Sequence, residues 1–256
     1  MSQTGRPRSI VPRASRPQVF AAGAGQPGVH LALAILVAFA WQLGSFTPAA
    51  AEDWPQFRGV NCTGISPGKA PLPTQFDAEK NPAWSAELGD GIGSPVVAAG
   101  RVLVSEMSGD EEVSLVCFDA ASGELLWRRA FETGVLPEIH KSNSHASTTC
   151  AADDERVYFY CSTLGMIACR ASDGEILWRR ELPEPYFVFK WGAGMSPILF
   201  EDKVIFCQDD DLSPAIYALD KADGHIVWKV DRGDMAVNYS HPVICETPQG
   251  PELVVA

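Results

Sequence analysis

ASGELLWRR occupies residues 121–129, and SDGEILWRR occupies 172–180, fifty-one positions on. A looser third copy, ADGHIVWKV, follows at 222–230. In every copy a glycine precedes a tryptophan by four residues: Gly123 and Trp127, Gly174 and Trp178, Gly224 and Trp228. Self-similarity at a period near fifty marks a repeat architecture, in which each unit buries its apolar surface against its neighbours.

Aligned on their tryptophans, the copies resolve into the same parts. A Ser-Pro or its equivalent opens each unit: Ser94-Pro95, Ser147-Thr148, Ser196-Pro197, and His241-Pro242 in an incomplete fourth copy. Two β-rich runs follow, such as VVAAG and RVLVSE, then a third (SLVCFD, MIACRA or AIYALD) and a fourth (ELLWRR, EILWRR or HIVWKV). Short β-rich runs separated by Gly- or Asp-containing turns read as antiparallel hairpins. Glycine supplies the positive φ of a tight turn without steric cost. The spacing therefore predicts an all-β chain, a β-propeller of four-stranded antiparallel blades, with repeats near 93–131, 145–182, 194–231 and 239–256. Helical repeats are excluded, because no segment after residue 51 keeps an i, i+3, i+4 apolar period for three turns.

The recurring Trp is too large to stand exposed in every copy. It is expected between neighbouring blades, its indole N–H on a backbone carbonyl. NPAWSAEL (81–88) reads as an outer strand donated for ring closure, and PELVVA stops inside a blade, so an incomplete ring of about three and a half blades is expected.

The unit D-x-A-x-S/D-G-x-x-x-W resembles the repeat of quinoprotein-type propellers, the pyrroloquinoline-quinone-like repeats, with their tryptophan-docking motif. The likeness covers roughly residues 84–256, and DWPQFRG (53–59) is similar to the start of many exported bacterial proteins of this class. The resemblance implies one of two functions. One branch consists of scaffolds such as the propeller lipoproteins of the outer-membrane barrel assembly machinery, which bind proteins and do no chemistry. The other consists of dehydrogenases that hold pyrroloquinoline quinone with calcium and a pair of adjacent cysteines. No two of the seven cysteines here are adjacent, which favours the scaffold, with no cofactor. A lipoprotein needs Cys directly after its cleavage site; Glu52 stands there, with Cys62 ten residues on.

Composition narrows the choice. Net charge is −12, yet residues 1–51 carry four arginines and no acid, leaving −16 on the remainder. So acidic a body repels phosphate backbones, and nucleic acid is excluded as a partner. The basic, Pro/Gly-broken start, the apolar run 29–46 and the small residues at 47–51 read as a signal peptide cleaved near Ala51, or as an N-terminal membrane anchor. Either places the body outside the cytoplasm, in the periplasm or cell envelope. A Pro-rich lead-in (52–83) precedes the repeats. There is no C-x-x-C, which disfavours a zinc ribbon or thioredoxin-type site. Cys117 and Cys169, set at the same place in successive repeats, read as small core residues; Cys150 and Cys161 are the candidate bridge.

Catalytic and metal residues are not expected. Asp209-Asp210-Asp211 is the densest carboxylate cluster, but alternate side chains on a strand diverge, and a solvated loop is the expected role. The long connections TGVLPEIHKSNSH (133–145) and PEPYFVFKWGAG (183–194) join one blade's outermost strand to the next blade's innermost. Such loops gather on one face, so His140, Asn143, His145, Phe189, Lys190 and Trp191, with His241 from the fourth copy, are the candidate binding residues. A protein is the expected partner, and residues 29–46 offer a possible membrane attachment.

Overall fold

Short β-branched and aromatic runs broken by positive-φ turns build three meanders. The first is β1 (Val96–Ala98), β2 (Arg101–Gly109), β3 (Glu112–Asp119) and β4 (Leu125–Glu132). The second is β5 (Ala151–Ala152), β6 (Arg156–Cys161), β7 (Gly165–Arg170) and β8 (Ile176–Arg180). The third is β9 (Ile198–Phe200), β10 (Lys203–Gln208), β11 (Ala215–Asp220) and β12 (Ile226–Asp231). Each forms a four-stranded antiparallel sheet in chain order, and β13 (Val243–Thr247) with β14 (Gly250–Val254) forms a two-stranded sheet. The computed structural model describes residues 52–69, 74, 75, 77, 79, 80, 82–233 and 237–256. The proposed signal or anchor, residues 1–51, lies outside them. Among the described residues no helix is long and apolar enough to cross a membrane.

The turn before each outer strand is built alike. Gly123, Gly174 and Gly224 adopt φ of 73°, 70° and 71°. Their N–H groups donate to the carbonyls of Asp119, Arg170 and Asp220. Directly after the turn the register slips by one, between Cys117 and Phe118, Ala168 and Cys169, and Ala218 and Leu219. The extra residue is Leu126, Leu177 or Val227, and such a bulge re-aims the side chain beside it. Here that side chain is the tryptophan.

Trp127 and Trp178 each lie over the turn glycine of the following blade. A Cβ on Gly174 would come within 2.6 Å of the Trp127 ring, and one on Gly224 within 2.5 Å of Trp178. Trp127 Nε1 donates to the Ala171 carbonyl at 2.9 Å, and Trp178 Nε1 to that of Lys221 at 3.0 Å. Both rings are 8% exposed. Trp84 makes the same contact with the first blade, over Gly123 and donating to the Ala120 carbonyl. Residues 82–88, expected as an outer strand, form no strand although their tryptophan is seated. Trp228 is half-buried, packed against the same core as Val243 and Leu253.

Both faces of the middle blade are core. Along β6, Val157, Phe159 and Cys161 face the first blade while Tyr158 and Tyr160 face the third. Along β7, Ile167 and Cys169 face the first and Met166 and Ala168 the third. Period-two alternation thus feeds two cores from one strand. It also corrects the cysteine alignment. Cys117 pairs with Trp127, whereas Cys169 pairs with Ile176, one position nearer the turn. A one-residue offset reverses the face, so Cys117 points forward and Cys169 backward, and both enter the same core. All seven cysteines are free thiols, Cys150 and Cys161 included.

The inner ends of the blades are tied by hydroxyls. Ser94 N–H donates to Thr149 Oγ1 and Thr149 N–H to Ser196 Oγ, both at 2.9 Å. The residue opening the second repeat is therefore Thr149, not the Ser147-Thr148 pair that the sequence alignment put there.

Candidate binding face

The two long connections pack against each other. Asn143 is the hub: its Nδ2 donates to the carbonyls of Trp191 at 2.6 Å and Ala193 at 3.1 Å. His140 N–H donates to the Lys190 carbonyl at 2.6 Å, and the His140 and Trp191 ring centroids are 4.8 Å apart. Lys190 pairs with Glu138 across the two loops. Gly192, at φ 79°, brings the second loop so close that a Cβ there would sit 2.8 Å from Ile139 Cγ2. From the other side, Tyr239 Oη donates to the Gly192 carbonyl at 2.9 Å.

This scaffolding holds apolar surface outward. Phe189 is 74% exposed, with Tyr186, Val188, Trp191 and Leu212 also open to solvent. Beside them lies a cleft of about 450 Å³, walled by Pro137, Ile139, His145, Tyr186, Phe187 and Leu212 among others. Glu138, Ser162, Glu184 and Lys190 add polar groups to an otherwise apolar wall, which suits an apolar anchor from another molecule. Burial lowers the pKa of His145, partly offset by its hydrogen bond to the Pro137 carbonyl. It is a neutral wall residue near pH 7.

Of the residues named from sequence, His140, Asn143, Phe189, Lys190, Trp191 and His145 are thus brought together. His241 is not among the cleft's walls. Its ring meets that of Phe57 in a tilted contact, centroids 5.0 Å apart, and burial and then Arg58 depress its pKa to about 4. Tyr186 belongs to the aromatic 183–194 connection already marked in the sequence, whereas nothing in the spacing of Leu212 marks it as a rim residue.

The carboxylate cluster corrects a second expectation. Asp209 and Asp210 are fully buried rather than solvated. Asp210 Oδ1 accepts from the Leu212 and Ser213 N–H groups at 2.7 and 2.6 Å, and Asp211 Oδ2 from Val188 N–H at 2.8 Å. Asp209 Oδ1 lies 2.8 Å from Arg232 Nε, an ion pair held by charge, since the N–H is not aligned on the oxygen. These carboxylates anchor the 183–194 loop and its neighbour. Asp210 and Asp211 serve backbone N–H groups and Asp209 Oδ1 faces the arginine, while Asp209 Oδ2 is buried without a hydrogen-bond partner. Asp220, Asp223 and His225 also cluster, exposed on the third turn. There Asp220 and Asp223 accept from the backbone N–H groups of Ala222 and His225, which is turn formation.

The family model described as outer membrane protein assembly factor BamB matches residues 74–140 and 110–246. The chain belongs to that family. A BamB of Shewanella oneidensis is 30% identical over 157 residues, covering 58% of this chain and 36% of the relative. The match thus spans about a third of the relative's length. Among solved structures, BamB from Moraxella catarrhalis is similar at 16% identity, covering 65% of this chain and 46% of that one, with a TM-score of 0.41. The quinohemoprotein alcohol dehydrogenase of Comamonas testosteroni is similar at 19% identity, 72% and 28% coverage and a TM-score of 0.45. Neither likeness bears on activity.

Proposed function

We propose that this chain is an exported propeller scaffold that binds a protein through its loop face and performs no chemistry itself. One observation carries the proposal: two inter-blade loops, locked together through Asn143, present Phe189, Trp191 and Tyr186 to solvent around an apolar cleft. Holding large aromatics exposed is costly in water, and rigid aromatic rims around a pocket are the anatomy of protein-binding surfaces. The acidic body favours a partner whose face is apolar and basic. Membership of the BamB family supports a role in assembling outer-membrane proteins, with the chain in the periplasm or cell envelope.

A photo-crosslinking residue at Phe189 is expected to capture an envelope protein in cells, whereas the same residue at Leu125, on an outer strand, is not. Equal capture at both positions, or none at Phe189, removes the loop face from the proposal. Purified protein supplied with pyrroloquinoline quinone and calcium is expected to oxidise neither alcohols nor sugars with a dye acceptor. Turnover in that assay would replace the scaffold with a quinone-dependent dehydrogenase.

A further inference from the structure

In a four-stranded blade the innermost strand has one unpaired edge, and in a propeller those edges face the axis. Here they are paired, by residues 53–57. Trp54 exchanges two backbone hydrogen bonds with Val97 in β1, at 2.7 and 2.9 Å, and Asp53 Oδ1 accepts from Ala99 N–H at 3.0 Å. The next residue, Pro55, accepts from Ala152 N–H in β5 at 2.8 Å. Gln56 Oε1 then accepts from Leu199 N–H in β9 at 2.8 Å, and the Phe57 ring makes a tilted contact with His241, just before β13. Four consecutive residues thus contact three consecutive sheets and the lead-in to the fourth.

Each residue type suits its place. Proline has no N–H to leave unsatisfied where only its carbonyl is used. Gln56 is buried at 3% exposure and lends a side-chain amide oxygen where its own backbone does not reach, while its Nε2 contacts Cys62 Sγ at 3.4 Å. The chain then folds back sharply. Trp54 lies flat on Gly59, where a Cβ would sit 2.6 Å from the ring, and Arg58, Asn61 and Cys62 all take positive φ. So many left-handed residues persist only where surrounding contacts impose them.

We propose that the inner blade edges form an axial peptide-binding site, and that residues 53–57 are its ligand, held in cis. The site takes an extended peptide of Trp-Pro-Gln-Phe pattern by adding it to three sheet edges, with selectivity from the glutamine amide on Leu199 N–H, while the tryptophan packs on Gly59 of the same segment. The inference does not depend on the loop face.

In the intact chain, Gln56→Ala is expected to speed amide exchange at Leu199 by about tenfold or more while Val97 keeps its protection. Unchanged exchange at Leu199 overturns the proposal. In a second experiment, a protease site placed among exposed residues 63–69 of the full chain allows the N-terminal piece to be cut free. The piece is expected to remain bound through gel filtration and to exchange with a labelled synthetic peptide of residues 52–62. Loss of the piece on cutting, or equal binding of the Gln56→Ala peptide, overturns it too.

Discussion

Gly174 and Trp127 show how much a single spacing conveys. A glycine four residues before a tryptophan, three times over, marks both members of the contact, though not that each ring sits on the next copy's glycine. Its partners were hidden. Arg129 Nε donates to the Gly174 carbonyl at 2.8 Å and Arg180 Nε to that of Gly224 at 2.7 Å, so the arginine two residues beyond the ring clamps the same turn. The W-R-R string was visible, but a charged residue on an outer strand reads by default as solvated. Asp209 failed for the same reason: acidity suggests exposure until a buried partner such as Arg232 is found. Trp178→Ala is expected to cost roughly 3–5 kcal/mol, the range for a buried aromatic. Trp228→Ala is expected to cost about half as much, since its ring is half-buried. Denaturant midpoints at constant slope measure both, and equal losses would contradict the difference in burial.

His241 carries a pH dependence at the same scale. Its folded pKa of about 4 lies below the ordinary 6.5 because burial, and then Arg58, disfavour the cation. The unfolded chain therefore takes up this proton first as pH falls. The contribution is fully present above pH 6.5 and is lost progressively down to about 4. His145, also lowered by burial, acts with the same sign. Comparison with His241→Gln isolates the larger effect: the variant is expected to lose less stability between pH 6.5 and 4. Parallel pH profiles would place His241 in water.

At the scale of elements, alternation made the strands legible and the bulge made their register illegible. Apolar runs such as RVYFYC identify β6 as buried on both faces, but the slip after each turn glycine moves every residue of the third strand by one relative to the fourth. The slip is common to all three blades; what separates Cys117 from Cys169 is their spacing, ten residues before Trp127 against nine before Trp178. Their actual positions have a chemical consequence. Burial raises the thiols of Cys117, Cys150, Cys169 and Cys207 to about 12, that of Cys62 to about 11, and that of Cys161 in the same direction. Cys245 is exposed. Since the thiolate is the reactive form, native protein is expected to take one maleimide quickly, at Cys245, and the other six only on unfolding. Unfolding that releases four further adducts rather than six would reveal a bridge, with Cys150 and Cys161 the first pair to map.

For the whole molecule, the sequence period gave the architecture and said nothing of what joins distant blades. Period and packing describe a linear array, in which a blade feels only its immediate neighbours and stability is a sum of units and interfaces. Such an array is free to melt in parts. Residues 53–57 change this, because they touch the first blade at Val97, the second at Ala152, the third at Leu199 and the next sheet's lead-in at His241. Losing any one blade then weakens the seat of a segment that all of them share, and separate transitions merge. Wild-type unfolding followed by tryptophan fluorescence and by far-ultraviolet circular dichroism is expected to coincide, as a single cooperative unit requires. In the double variant Trp54→Ala/Gln56→Ala the inter-blade tryptophans remain, while the bond from Leu199 to Gln56 and the packing of Trp54 that holds the segment in place are lost. The two signals are expected to separate there, with the sheet signal outlasting the first loss of tryptophan burial. Coincident curves in the double variant would mean that neighbour contacts alone, the seats of Trp127 and Trp178 foremost, make the propeller cooperative.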